Sequence, residues 1–379
     1  MGTREIRATL LPLLAALFAV EATSQSPPPS ALINQRSEET VEAARAASPH
    51  TSESTLAYFQ DEAEEAIARA IDRVWDPTRP RPEPPRTPWG DPNLAGYWLS
   101  STYTPLERPE ALADTSLYSP QEAIEAFQTA VLTDAAVDPA TVHYDWTEFG
   151  MDYWQSPVRP NRRTSLIVDP PNGRLPALTP EGQSRLREQA RRHTLESRGL
   201  YERCVQGNQG PPRTPHNRGG NSSFGQSTGQ SQIIQTPGHV ILITQANSDV
   251  RIVPLDGSEH APDAVRSYLG DSRAYWEDDT LVVETTNFND TPALVPASRN
   301  LKVVERFTRL DQGRLLYQFT VDDPTIWEAP WGGEYVWPAT GERLYEYACH
   351  EGNYALGNIM RGARLLEADS MSQAASGGD

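Results

Sequence analysis

Residues 272–288, SRAYWEDDTLVVETTNF, decide the fold. β-branched and aromatic residues fill 272–277 and 280–288, and only the acidic pair Asp278-Asp279 separates the two runs. Residues of this type at this spacing read as two strands with a tight turn between them. A connection that short permits only antiparallel neighbours.

The same pattern extends in both directions. Strand-like runs occupy 95–101, 164–169, 232–236, 239–245, 250–255, 301–310, 314–321 and 343–349. Turn chemistry punctuates them: Pro237-Gly238, then Asn247-Ser248-Asp249, then Asp311-Gln312-Gly313. Consecutive hairpins make a meander, and a long meander removes its exposed edges by curling closed. The expected fold is mainly β: an antiparallel meander closing into a lipocalin-like (calycin-like) barrel, with a few peripheral helices. The tripeptide Gly96-Tyr97-Trp98 resembles the opening strand of such barrels.

Outside the strands the chain divides by composition. Residues 1–24 carry Arg4 and Arg7, then the 13-residue apolar run of 8–20, then small residues at Ala22 and Ser24. That is the layout of a cleavable export signal, and the run is too short to span a bilayer. Residues 25–52 are rich in Ser, Pro, Ala and Glu and read as a disordered leader. Residues 53–76 place Leu56, Phe59, Ala63, Ile67, Ala70 and Val74 at helical spacing. A proline-rich stretch, 77–92, reads as a stiff extended linker to a β domain over 93–366. Within that domain Ser119-Pro120 and Thr179-Pro180 open two helices. Residues 206–231 are a Gly/Ser/Asn/Gln/Pro loop expected to act as a flexible flap at the barrel mouth, and 367–379 read as a disordered tail.

Charge and cysteine count narrow the setting. With 33 basic and 51 acidic residues the net charge is 33 − 51 = −18. Such a surface repels nucleic acid phosphates and anionic membranes, so nucleic acid binding and membrane insertion are not expected. The two cysteines, Cys204 and Cys349, meet an oxidising periplasmic or extracellular compartment after export and are expected to pair as one disulfide.

Strand alternation then sorts polar side chains by face. Glu305 falls in line with Leu301, Val303 and Phe307; Glu284 aligns with Val282 and Phe288; His239 aligns with Ile241 and Ile243; Glu346 aligns with Leu344, Ala348 and His350. A carboxylate in a dry core costs several kcal/mol unless compensated, roughly 2–7 for even a neutral polar group. These groups are therefore paired with Arg251, Arg273 or Arg306, or they face a wet cavity, or the faces are solvated. In the cavity case raised carboxylate pKa values suit acid–base chemistry, with Glu305, Glu346 or Glu284 as acid or base and His350 or His239 as shuttle. Arg306, Arg251 or Arg273 would then clamp an oxyanion. Trp276, Tyr153 and Arg163 are further candidates for ligand contact, Tyr153 and Arg163 from an aromatic- and arginine-rich stretch that equally suits a packed connector. Metal-ligand spacing, nucleophile elbow, phosphate loop and dinucleotide fingerprint are all absent from the sequence, so no cofactor or metal is expected.

Six strings carry a resemblance, the last three of them distinctive together: TPWGDPNLAGYW, RTSLIVDPPNGRLPALTPEG, YERC, GDSRAYWEDDTLVVETTNFND, VVERFTRLDQGRLLYQFTVDDPTIW and YEYACHEGNYALGNIMRGAR. Over about residues 87–364 the chain resembles a widespread family of secreted, largely uncharacterised bacterial proteins. The resemblance implies a shared exported all-β domain and no specific reaction, with a mild lean toward hydrophobic or aromatic small molecules. Three function classes follow: an exported acid–base enzyme (lyase, isomerase or hydrolase) acting on such a molecule, a non-catalytic carrier of one, or a structural envelope protein.

Overall fold

The computed structural model describes residues 74–112, 114–135, 160–191, 203–205, 210–214, 230–245, 248–341, 343–351 and 353–376. The expected signal, the leader, nearly all of the 53–76 helix, Tyr153 and most of the 206–231 loop lie outside these residues.

Ten strands and three α-helices are present among the described residues. The strands are β1 (Gly96–Leu99), β2 (Ile167–Asp169), β3 (Gln230–Thr236), β4 (His239–Thr244), β5 (Val250–Pro254), β6 (Asp271–Glu277), β7 (Thr280–Thr286), β8 (Lys302–Arg309), β9 (Arg314–Asp322) and β10 (Trp331–Pro338). The helices are α1 (Pro120–Ala135), α2 (Pro180–Arg191) and α3 (Tyr354–Ser376). All strand pairs are antiparallel, in two sheets with orders β1-β3-β4-β5 and β2-β10-β9-β8-β7-β6.

The local chemistry explains the hairpins. Gly238 follows Pro237 at φ 82°, the left-handed position a Pro-Gly turn requires, and joins β3 to β4. Asp278 takes φ 50° and closes the two-residue turn between β6 and β7. From β6 to β10 the chain is the expected meander. Between β5 and β6, however, no ladder forms among the described residues: a 16-residue crossover with Gly257 and Pro262 stands where a hairpin turn would be needed. On the opposite flank a single bridge, Trp98 to Ala339, links β1 to the chain just beyond β10. The architecture is thus two antiparallel sheets on one core.

Both inner faces feed that core. Trp98, Ile233, Val240, Leu242 and Val253 come from the four-stranded sheet; Leu281, Val283, Val303, Phe307, Tyr317, Phe319 and Trp337 come from the six-stranded one. Phe307, Tyr317 and Tyr335 stand in register across β8, β9 and β10, with centroid separations of 5.1 and 5.6 Å. Trp337 stacks on Tyr317 at 4.7 Å. Each such aromatic pair adds about 0.5–1.5 kcal/mol beyond area burial.

Helix starts follow their caps. The Ser119 hydroxyl accepts from the Glu122 amide, and the Glu122 carboxylate accepts from the Ser119 amide at 2.7 Å, a reciprocal cap on α1. Thr179 Oγ1 accepts from the Gly182 amide at the start of α2. No described helix is long and apolar enough to cross a membrane.

Four expectations need correction. Residues 343–349 form no strand: they run irregularly and largely exposed, and the chain that pairs with β10 opposite β9 is β2, at Gly332 and Gly333. The missed strand is β10, disguised by Gly332 and Gly333. At their bulge the backbone of Leu166 and the ring of Phe319 press so close that a Cβ on Gly333 would lie 2.6 Å from each. Residues 367–376 continue α3 instead of forming a disordered tail. The 77–92 linker is not extended throughout: the Thr87 amide donates to Asp91 O and the Asn93 amide to Pro85 O, reversing the chain at Gly90, φ 100°.

Candidate functional site

The polar chemistry gathers where the two inner faces meet. β5 places Arg251 on the inner side between the outward Val250 and Ile252, and β8 places Glu305 between Val303 and Phe307. Glu305 is fully buried. Its Oε2 accepts from Arg251 NH1 at 2.5 Å, and its Oε1 accepts from Arg251 NH2 at 3.0 Å. The Tyr317 hydroxyl, one strand over, donates to Oε1 at 2.8 Å. Both carboxylate oxygens are therefore engaged, and a two-armed guanidinium holds the group in a fixed plane. Burial alone would depress the Arg251 pKa, but the facing Glu305 carboxylate outweighs it and raises it.

A third element enters from the segment Gly210–Thr214, every residue of which is buried. A chain crossing a core must satisfy each backbone group or lack it. Pro211 and Pro212 have no N–H to satisfy. The Arg213 amide donates to the Tyr317 hydroxyl at 2.7 Å, and Arg213 O accepts from the Tyr335 hydroxyl. The Arg213 side chain donates to Thr244 Oγ1 and, at 3.2 Å, to Ser100 Oγ; its guanidinium lies 5.3 Å from the Trp337 ring centroid. Burial pushes the Arg213 pKa down, and it raises the pKa values of both tyrosine hydroxyls. The expected surface flap is, over 210–214, a strap through the interior.

The other sequence candidates are placed elsewhere. Arg273, Glu284 and Arg306 share the outer face of the six-stranded sheet, where each is paired: Arg273 with Asp271 at 2.9 Å, Arg306 with Glu277 at 2.5 Å, and Glu284 with Lys302 at 3.8 Å. Asp271 also accepts from the Ala261 amide and meets His260 Nδ1 at 2.8 Å. Desolvation raises the Asp271 pKa, but these partners outweigh it, and the net direction is down. His239 is exposed at the start of β4, on the outer face of its sheet. Trp276 is half-buried on the inner face, its indole N–H buried without an acceptor. Arg163 binds Glu334 with Nε at 2.8 Å and with NH2, and Gln318 donates to the other Glu334 oxygen at 2.9 Å.

The YEYACHEGNY stretch resolves into separate parts. Cys349 is disulfide-bonded to Cys204, with Cα atoms 5.6 Å apart. Glu346 and His350 are exposed and belong to no strand, so alternation does not aim them at the core. The structure therefore brings Arg251 and Glu305 together and leaves the remaining candidates apart from that pair.

Sequence reasoning missed Arg213, Tyr317, Tyr335, Thr244, Ser100 and Trp337. Tyr317 was accessible: it alternates with Leu315 and Phe319, and a buried tyrosine needs a partner for its hydroxyl. Arg213 carried one faint signal, the Pro-Pro pair before it, which removes donors where a strap must be buried. Comparison of the chain with models of known families, with curated proteins and with solved structures returned no match.

Proposed function

We propose that the protein is an exported binding protein for a small hydrophobic or aromatic molecule that carries an oxygen acceptor. The two sheets would work as an incompletely closed, lipocalin-like barrel. One observation carries the reading: the side chains converging on the interior are mostly donors. Arg213, Arg251, Tyr317 and Tyr335 gather about the carboxylate of Glu305, and the buried indole N–H groups of Trp276 and Trp331 lack acceptors. Apolar surroundings with a few convergent polar groups suit such a ligand, and the disulfide suits an exporting compartment.

The test is native mass spectrometry of the protein taken from its own compartment, followed by titration with aromatic carboxylates such as 4-hydroxybenzoate. Arg213→Gln is expected to weaken binding at least ~10-fold, the loss typical of a charge-assisted hydrogen bond; Arg306→Gln on the outer face is expected to be silent. Equal affinity for wild type and Arg213→Gln sinks the reading.

A second reading, the acid–base enzyme, is favoured by the Tyr317 hydroxyl donating to Glu305 inside the core. Glu305 and Tyr317 would then exchange the proton, without His350, Glu346, Glu284 or His239. If the recovered molecule is turned over, Glu305→Gln should abolish turnover while retaining binding.

A further inference from the structure

Among the described residues two apolar surfaces are exposed or half-buried, and they fit each other. The first is the outer face of β3, β4 and β5. Register aligns Ile234, Ile241 and Ile252 across the three strands and Gln232, Ile243 and Val250 beside them. Ile252 is 65% exposed and Val250 47%. No Asp, Glu, Lys or Arg points outward from these three strands; His239 is the one titratable group there. The second surface is α3, on which no described side chain is buried. Ile359, Leu365, Leu366 and Met371 are all exposed, and Ile359, Ala363 and Leu366 share one stripe by their spacing of four and three. Gly362 and Ala363 at its middle leave room for close approach.

Position and charge identify the occupant. The Tyr345 amide donates to Gln245 Oε1 just past β4, and the Cys204–Cys349 bridge anchors the same segment, so α3 is rooted near the end of the uncovered sheet. Its described side chains are nevertheless exposed or only half-buried. Two chains of net charge −18 repel over most of their surfaces. The β3–β5 face is uncharged, and α3 balances Arg361 and Arg364 against Glu367 and Asp369. We propose that the protein forms a two-fold dimer in which α3 of each copy lies across the β3–β5 face of the other. A helix of 23 residues is about 34 Å long. Each contact occurs twice in an isologous pair, so whatever area one helix buries is doubled.

The experiment is sedimentation velocity of the mature full-length chain across the micromolar range. Wild type is expected to be dimeric. Ile252→Lys and Leu366→Lys are each expected to raise the dissociation constant at least ~10-fold by burying an unpaired ammonium. Tyr275→Lys, on the exposed face of the other sheet, serves as a control that leaves it unchanged. Separately made Ile252→Cys and Leu366→Cys chains, mixed and oxidised, are expected to form a covalent pair. A monomeric wild type overturns the proposal, as does a dimer indifferent to both lysines. So does a double-cysteine chain that closes only on itself, which would mean that α3 covers its own sheet.

Discussion

Arg251 and Glu305 sit on different sheets, and their two hydrogen bonds of 2.5 and 3.0 Å are a polar fastening between the sheets through the core. Removing one partner strands the other charge. Glu305→Leu or Arg251→Met alone is expected to cost about 3–5 kcal/mol, whereas the double replacement recovers much of the loss. Urea denaturation of the four-member cycle measures this; additive single losses would show that the two groups do not depend on each other.

Tyr317→Phe and Tyr335→Phe each remove one partner from the Arg213 backbone. Each is expected to cost about 1–3 kcal/mol, the penalty for an orphaned buried group. Hydrogen exchange at Arg213 and Thr214 should accelerate in both variants. Unchanged exchange would mean the strap is held by its side chain alone.

Acid stability should carry a signature of Asp76. The Thr78 backbone amide, then the Thr78 hydroxyl and Arg162, hold its carboxyl at about 2. A depressed carboxyl contributes stability above its unfolded value near 4, and loses it as pH falls through about 2. Asp271, also lowered, adds to the same slope. Melting temperature followed from pH 5 to pH 2 should fall less steeply in Asp76→Asn. An unaltered slope would remove Asp76 from the account.

Gly333→Ala tests the bulge in β10. Its Cβ would meet Leu166 O and the Phe319 ring at 2.6 Å each, and one of these neighbours is backbone. Overpacking of this kind costs about 1–3 kcal/mol. Chemical denaturation should show it, and a neutral result would mean that β2 shifts away freely.

Much of the fold was legible because strand periodicity and turn residues act locally. The β6–β7 hairpin, β8 and β9 were readable from alternation, Asp278-Asp279 and Asp311-Gln312-Gly313. β10 was not, since its two glycines answer to Leu166 and Phe319, neighbours distant in sequence. Residues 343–349 misled for the converse reason: they have strand-forming side chains, but no neighbouring strand pairs with them among the described residues. Alternation aimed Glu305 inward, yet Arg251 became its partner only through the facing of two sheets. Arg213 was hidden because composition made 206–231 read as surface loop, while Tyr317 and Tyr335 hold residues 210–214 in the interior.

The Cys204–Cys349 bond has a topological consequence. It closes residues 204–349 into a covalent ring that contains β3 through β10 and both flanks of the strap. A protease cutting once between Thr214 and Gln230 would sever the main chain and still leave every piece joined. Such a nicked molecule would gain only the mass of one water and separate into two fragments only under reducing, denaturing conditions. The bridge thus makes the longest glycine-rich stretch expendable as a continuous chain.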